Sequence, residues 1–189
     1  MNFIREYLEQ MAPCSDADWQ VFSSKLERQQ FKRKTILLPI GHTEPYLSFI
    51  EKGIIRFYIP GLENDLTFSF SFQNAFVSAY DSFLTQTGCT YQVQAITDVV
   101  VWRITYAHLQ HIYQQTAVGN TIGRYAAEDL FLKKSQRELQ LLTLTAEQLY
   151  LHLLTQRPQL ISQIPLKYLA SYIGITPQAL SRIRKRIIS

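Results

Sequence analysis

Apolar positions change their period several times along the chain. Up to about residue 27 they recur at helical spacing, with Trp19, Phe22 and Leu26 following Ser15-Asp16-Ala17-Asp18, which places a capping oxygen ahead of the run. From about 28 to 105 aromatic and β-branched residues alternate with polar ones, as in Tyr46-Leu47-Ser48-Phe49-Ile50 and Leu66-Thr67-Phe68-Ser69-Phe70-Ser71-Phe72. That is the period-two pattern of half-buried strands. Lys52-Gly53 lies between two such runs and reads as a tight turn, and Pro60-Gly61 ends the second. Several short strands of this kind predict a jelly roll or β-sandwich.

Near residue 106 the helical period returns, and one long helix is expected from about Val118 to Leu142. Ile122, Tyr125, Leu132 and Leu139 fall on a seam interrupted by Asp129 and Gln136. Such a seam suits a dimer interface, or packing against the chain's own β domain. Thr145-Ala146-Glu147-Gln148 is a capping box that opens a further helix, which stops before Pro158.

Residues 164–186 carry the most specific pattern, that of a helix-turn-helix. Leu166, Leu169, Ala170 and Ile173 make the inward face of a first helix, Gly174 permits the tight turn, and Ile175 plugs it. Thr176 caps the second helix and Pro177 suits its first turn, where a missing N–H costs nothing. Leu180, Ile183 and Ile187 then form an apolar stripe, while Gln178, Ser181, Arg182 and Lys185 share another face. Gln pairs with adenine and Arg with guanine, each bidentate pair giving about 1–3 kcal/mol of discrimination, whereas Lys, Ser and Thr more readily hold phosphates. An amphipathic hairpin with an ordinary solvated exterior is the competing reading.

Charge sharpens that choice. The chain has 189 residues and a net charge of +4, yet no Asp or Glu follows Glu147, so the end of the chain carries +6 and the first 147 residues −2. A near-neutral body with a basic end points to a polyanion, most simply nucleic acid. With 47% hydrophobic residues the chain can bury a core, and no apolar run approaches the roughly 18 residues of a membrane span. The N-terminus lacks a signal-peptide pattern, so a cytoplasmic protein without a membrane partner is expected.

The order of parts, helical lead-in, β-roll, long helix and helix-turn-helix, resembles the Crp/Fnr family of bacterial transcription regulators over nearly the whole chain. Its best-matched pieces are Tyr46 to Tyr58, through Lys52-Gly53, and Leu169-Ala170 through Gly174-Ile175-Thr176 to Leu180-Ser181-Arg182. The resemblance implies an α+β architecture: a cyclic-nucleotide-binding-like β-roll over 1–117, a dimerisation helix over 118–143, and a helix-turn-helix domain over 144–189. It implies a homodimer on double-stranded DNA, with Gln178 and Arg182 as base readers. Lys167, Thr176, Ser181, Arg184, Lys185 and Arg186 then anchor phosphates, and Pro177 stands where many members have a basic reader. The chain stops at Ser189, so a full wing after the recognition helix is not expected, and affinity should fall by about 0.9 log unit per log unit of salt for each neutralised phosphate.

Cyclic-nucleotide members of the family hold the ribose with a Glu and the cyclic phosphate with an Arg. In the matching stretch, Ser78, Ala79, Tyr80, Asp81, Ser82, Cys89 and Thr90, those positions are Ala79 and Cys89, and Asp81 opposes an anion further. Cyclic AMP is therefore not expected to bind in the usual mode. A small-molecule effector and RNA polymerase are further candidate partners.

Other chemistries find little support. His108 and His111 share a helical turn but have no Asp, Glu or Cys nearby to complete a metal set. A cupin-type metal site needs inward His or Glu residues on strands, and His42, Glu44, Glu51 and Glu63 cluster around turns. Cys89 lacks a basic neighbour in sequence to activate it, and Cys14 alone cannot hold an iron–sulfur cluster. No catalytic residue, metal or cofactor is expected. A ligand-sensing or protein-interaction module without DNA binding is the runner-up, and a cupin-like enzyme follows it.

Overall fold

The computed structural model describes the backbone of residues 1–116 and 118–188, with every side chain among them except that of Ile188. The domain boundary at residue 117 and the terminal Ser189, on which the wing expectation turns, lie outside these residues. Two helices, α1 (Asn2–Glu9) and α2 (Asp16–Ser23), lead into strands β1 (Glu27–Phe31), β2 (Ile36–Leu38), β3 (Tyr46–Lys52), β4 (Ile55–Ile59), β5 (Leu66–Ser71) and β6 (Phe76–Val77). A short helix α3 (Tyr80–Thr85) precedes β7 (Gln92–Ala95) and β8 (Val99–Thr105), and α4 (Tyr106–Gln115) and α5 (Gly119–Thr143) follow. The chain continues through α6 (Ala146–Gln156), α7 (Pro158–Gln163), α8 (Leu166–Ile173) and α9 (Pro177–Ile188).

Contacts divide the molecule into two units, Met1–Phe57 with Phe70–Leu130 and Tyr58–Ser69 with Phe131–Ser189. The long helix contributes to both units, and the β4–β5 hairpin tip clusters with the C-terminal helices.

The strands form two four-stranded sheets, β1-β8-β3-β6 and β2-β7-β4-β5. Glu27 already pairs with Arg103 in the antiparallel β1–β8 ladder, so the first helical region ends at Ser23 rather than near residue 27. Successive side chains of a strand face opposite ways. Phe49 of β3 and Ile104 of β8 accordingly meet Ile4, Leu8, Phe22, Phe83, Leu109 and Ile112, which seats α1 to α4 on one face of the first sheet. Ser48 and Arg103 belong to the other face. Ser15 caps α2 as expected, accepting a hydrogen bond from the Asp18 N–H.

Gly53 has φ +102°, and a Cβ there would lie 2.4 Å from the Asp98 carbonyl oxygen, so both backbone conformation and space require glycine at that turn.

In the second unit the capping box is formed in both directions, Thr145 Oγ1 accepting from the Gln148 N–H and the Gln148 side chain accepting from the Thr145 N–H. Leu149, Leu153, Leu160, Leu169, Ala170 and Leu180 are almost wholly buried and make its core. Helix α7 starts on Pro158 at its first turn, a helix the sequence pattern did not announce. The hairpin tip joins this unit through Ser171 of α8, whose Oγ donates to the Asp65 carbonyl and accepts from the Thr67 N–H at 2.8 Å.

Candidate functional site

Gly174 (φ +89°) ends α8 in the left-handed conformation that the turn requires. The Ile175 N–H reaches back to the Ala170 carbonyl at 3.0 Å and the Gly174 N–H to that of Ser171 at 3.2 Å. Thr176 Oγ1 then accepts from the Ala179 N–H and opens α9. Leu180 and Ile183 face inward, which leaves Gln178, Arg182, Lys185 and Arg186 exposed, with Ser181 and Arg184 half-buried. Lys167 is exposed on the first turn of α8, and Thr176 is exposed while serving as cap. Among the candidate phosphate anchors, Arg186 forms an ion pair with Glu147 within the chain. That pair is solvent-exposed and contributes little to stability.

The candidate pocket residues separate by burial. Ala79 and Cys89 are inside at 0% and 2% exposure, and burial pushes the Cys89 thiol up. Ser82 is buried, accepting from the Glu44 N–H and donating to the Thr87 carbonyl. Ser78 Oγ donates to the Tyr46 carbonyl at 2.9 Å. Asp81 is exposed and accepts a short hydrogen bond from the Tyr91 hydroxyl, whose ionisation is pushed well up by burial and then by that carboxylate. Tyr80 is half-buried, its ring stacked on Phe83, and Thr90 is exposed.

Two buried charges in this region were not anticipated. Glu44, assigned from sequence to a turn, is only 5% exposed, and its carboxyl accepts the backbone N–H groups of Tyr46 and Ala79. Burial raises its pKa above the usual carboxylate range. Arg103, 8% exposed, has its guanidinium 4.2 Å from the Tyr46 ring centroid and donates to Ser48 Oγ and Gln29 Oε1. Burial lowers its pKa, and Glu44 opposes that shift. Their only signal in sequence is a charge inside a strand-forming stretch, which does not reveal which way the side chain points.

On α5 the residues of the expected seam differ in burial. Ile122 packs against the core that holds Phe49 and Ile104, whereas Tyr125, Leu132 and Leu139 are 40%, 65% and 61% exposed. Phe131 at 69% and Leu142 at 77%, absent from the sequence seam, extend the exposed row. Tyr125, Leu132, Leu139 and Leu142 keep to the narrow stripe that heptad-like spacing generates, with Phe131 at its flank.

Compared as a sequence, the chain matches no family model and no curated protein. Compared as a structure, it resembles several bacterial regulators at low identity. The c-di-GMP responsive global regulator CLP of Xanthomonas campestris superposes with a TM-score of 0.65 at 18% identity, covering 92% of this chain and 91% of that one. A mutant of CooA from Carboxydothermus hydrogenoformans gives 0.68 at 15% identity over 86% of this chain and 76% of that one. A protein from Eubacterium rectale assigned to the Crp/Fnr family of transcriptional regulators gives 0.62 at 18% identity, over 91% and 82%. At these identities the likeness establishes architecture, and the architecture is that of the Crp/Fnr regulators: a mixed helix-and-sheet fold with a cyclic-nucleotide-binding-like β-roll.

Proposed function

We propose that this chain is a cytoplasmic, homodimeric DNA-binding regulator of transcription that reads a two-fold symmetric operator. The observation that carries the reading is the outer face of α9, where Gln178, Arg182 and Lys185 stand exposed while Leu180 and Ile183 hold the helix in the core. No Asp or Glu lies in the sequence after Glu147 to oppose a phosphate backbone. Gln178 and Arg182 read base edges in a major groove. Lys167, Thr176, Ser181, Arg184, Lys185 and Arg186 hold phosphates, Arg186 after exchanging Glu147 for one. The exposed row from Tyr125 to Leu142 is the dimer face, and pairing two copies brings two α9 helices to half-sites about one turn, roughly 34 Å, apart. RNA polymerase is the partner such a regulator acts on.

The β-roll serves as a sensor whose pocket no longer suits a cyclic nucleotide phosphate in the usual mode. Ala79 and Cys89 offer neither a ribose acceptor nor a cation, and Asp81 in the same stretch adds a carboxylate that opposes an anion. An effector, if the β-roll takes one, is an uncharged or cationic small molecule.

The test is binding of the purified protein to a pool of genomic fragments at about 0.05 and 0.2 M salt, a range over which multiple phosphate contacts give a steep loss. A two-fold symmetric motif with half-sites one turn apart is expected. Arg182→Ala should weaken the motif by about 10- to 100-fold and relax the base at its contact, with smaller change on random DNA. Retained fragments with no enriched motif, or identical binding by the variant, would refute the reading and favour a protein-interaction module.

A further inference from the structure

Helix α8 is held at two consecutive residues near its C-terminal end. Ser171 is bonded to the hairpin, its Oγ meeting the Asp65 carbonyl, the Thr67 N–H and Thr67 Oγ1. Tyr172, 4% exposed, meets two arginines. Arg137 of α5 donates from Nη2 to the Tyr172 carbonyl, with its guanidinium 3.9 Å from the ring centroid, and Arg157 Nη1 lies 3.4 Å from the Tyr172 hydroxyl.

The terminal turn explains why a cation belongs there. The Ile175 and Gly174 N–H groups take the carbonyls of Ala170 and Ser171 and leave that of Tyr172 for a side-chain donor. This is also the negative end of the helix dipole, where a guanidinium is favoured and an anionic ligand is not. The arrangement has a cost, since Arg137 Nε and Nη1 are buried without a hydrogen-bond partner. A half-buried cation kept in that state, over an aromatic ring and on the carbonyl two residues before the Gly174 turn, ties the recognition unit to the long helix.

We propose that Arg137 is a positioning residue for DNA recognition: by clamping Tyr172 to α5 it sets the angle at which α8, Gly174 and α9 are presented, and so the separation of two α9 helices in a dimer. This rests on the DNA-binding reading above. Arg137 itself touches no base. Its loss is felt where two half-sites must be met at once and not where one suffices.

The experiment compares the full-length wild type with Arg137→Ala and Arg137→Lys on operators whose half-site spacing is varied one base pair at a time, and on DNA with a single half-site. Dimerisation and amide hydrogen exchange over residues 172–176 are measured alongside. For Arg137→Ala we expect affinity for the best spacing to fall about tenfold, the scale of one charge-assisted hydrogen bond, with the spacing preference flattened. Single-half-site affinity and the dimer constant stay unchanged, and exchange at 172–176 quickens. Arg137→Lys recovers part of the preference, since an ammonium reaches the carbonyl without matching the planar stack. Equal losses on single and double half-sites, or an unchanged spacing profile, overturn the positioning role. Unchanged exchange overturns the clamp whether or not DNA binds, whereas a wild type that binds no DNA overturns the recognition reading on which the role depends.

Discussion

Leu132→Ala separates dimer energetics from folding. Leu132 is 65% exposed in the single chain, so it contributes little to the fold, and the substitution should change monomer stability by no more than about 0.5 kcal/mol. In a dimer built on the α5 face, the same side chain leaves water. Complete burial of a leucine is worth about 1.5–3 kcal/mol, and the exposed share here corresponds to about 1–2 kcal/mol. Two-fold symmetry presents the position twice, so the variant should lose about 2–4 kcal/mol of association free energy, and the dimer dissociation constant should rise by about 30- to 700-fold. Sedimentation equilibrium over a concentration series reads that constant, and thermal unfolding below it reads the monomer. A dimer constant unchanged within a factor of three would show that α5 is not the interface. A fall of several kcal/mol in monomer stability would show instead that Leu132 is covered by its own chain, and either result refutes the reasoning.

Two turn glycines and one buried acid allow further checks. Gly174→Ala has nothing within 4 Å of its added Cβ and should cost only the left-handed backbone penalty of about 1–2 kcal/mol. Gly53→Ala adds an overlap with the Asp98 carbonyl and should cost about 1–3 kcal/mol more; urea midpoints read from probes in each unit would contradict this if the order were reversed. The Glu44 pKa is raised in the fold, so the native state holds its proton over a range where the unfolded chain has released it, and stability falls as pH rises from the ordinary carboxylate range through the raised value. Glu44→Gln should therefore match the wild type near pH 4 and gain on it towards pH 7. A difference in urea stability that stays constant with pH, or shrinks, would contradict the burial argument.

Local chemistry made much of this chain legible. Ser15, the Thr145–Gln148 box, the Gly174 turn and the Thr176 cap each satisfy backbone groups within a few residues, so the residue type alone announces the structure. The strand period and the apolar stripe of α9 work in the same way. The pairing of Glu27 with Arg103 is of another kind. It bonds residues far apart in sequence, and it overrides a helical pattern that was locally sound.

Tertiary structure decided which face of α5 is covered. Ile122 turned inward onto the β-roll core, while Phe131 and Leu142, about half a turn round the helix from it, were left in solvent; both faces carry apolar residues, so their pattern does not say which one is covered. It also decided the charged contacts. Glu44 lies against Ala79 and Ser82, Arg103 lies on Tyr46, and Arg137 lies on Tyr172, thirty-five residues away in sequence. A carboxylate or guanidinium reads as surface in any sequence pattern, because exposure is its lowest-energy state unless hydrogen-bonding partners are supplied. Those partners come from other elements, and only the folded chain brings them within reach.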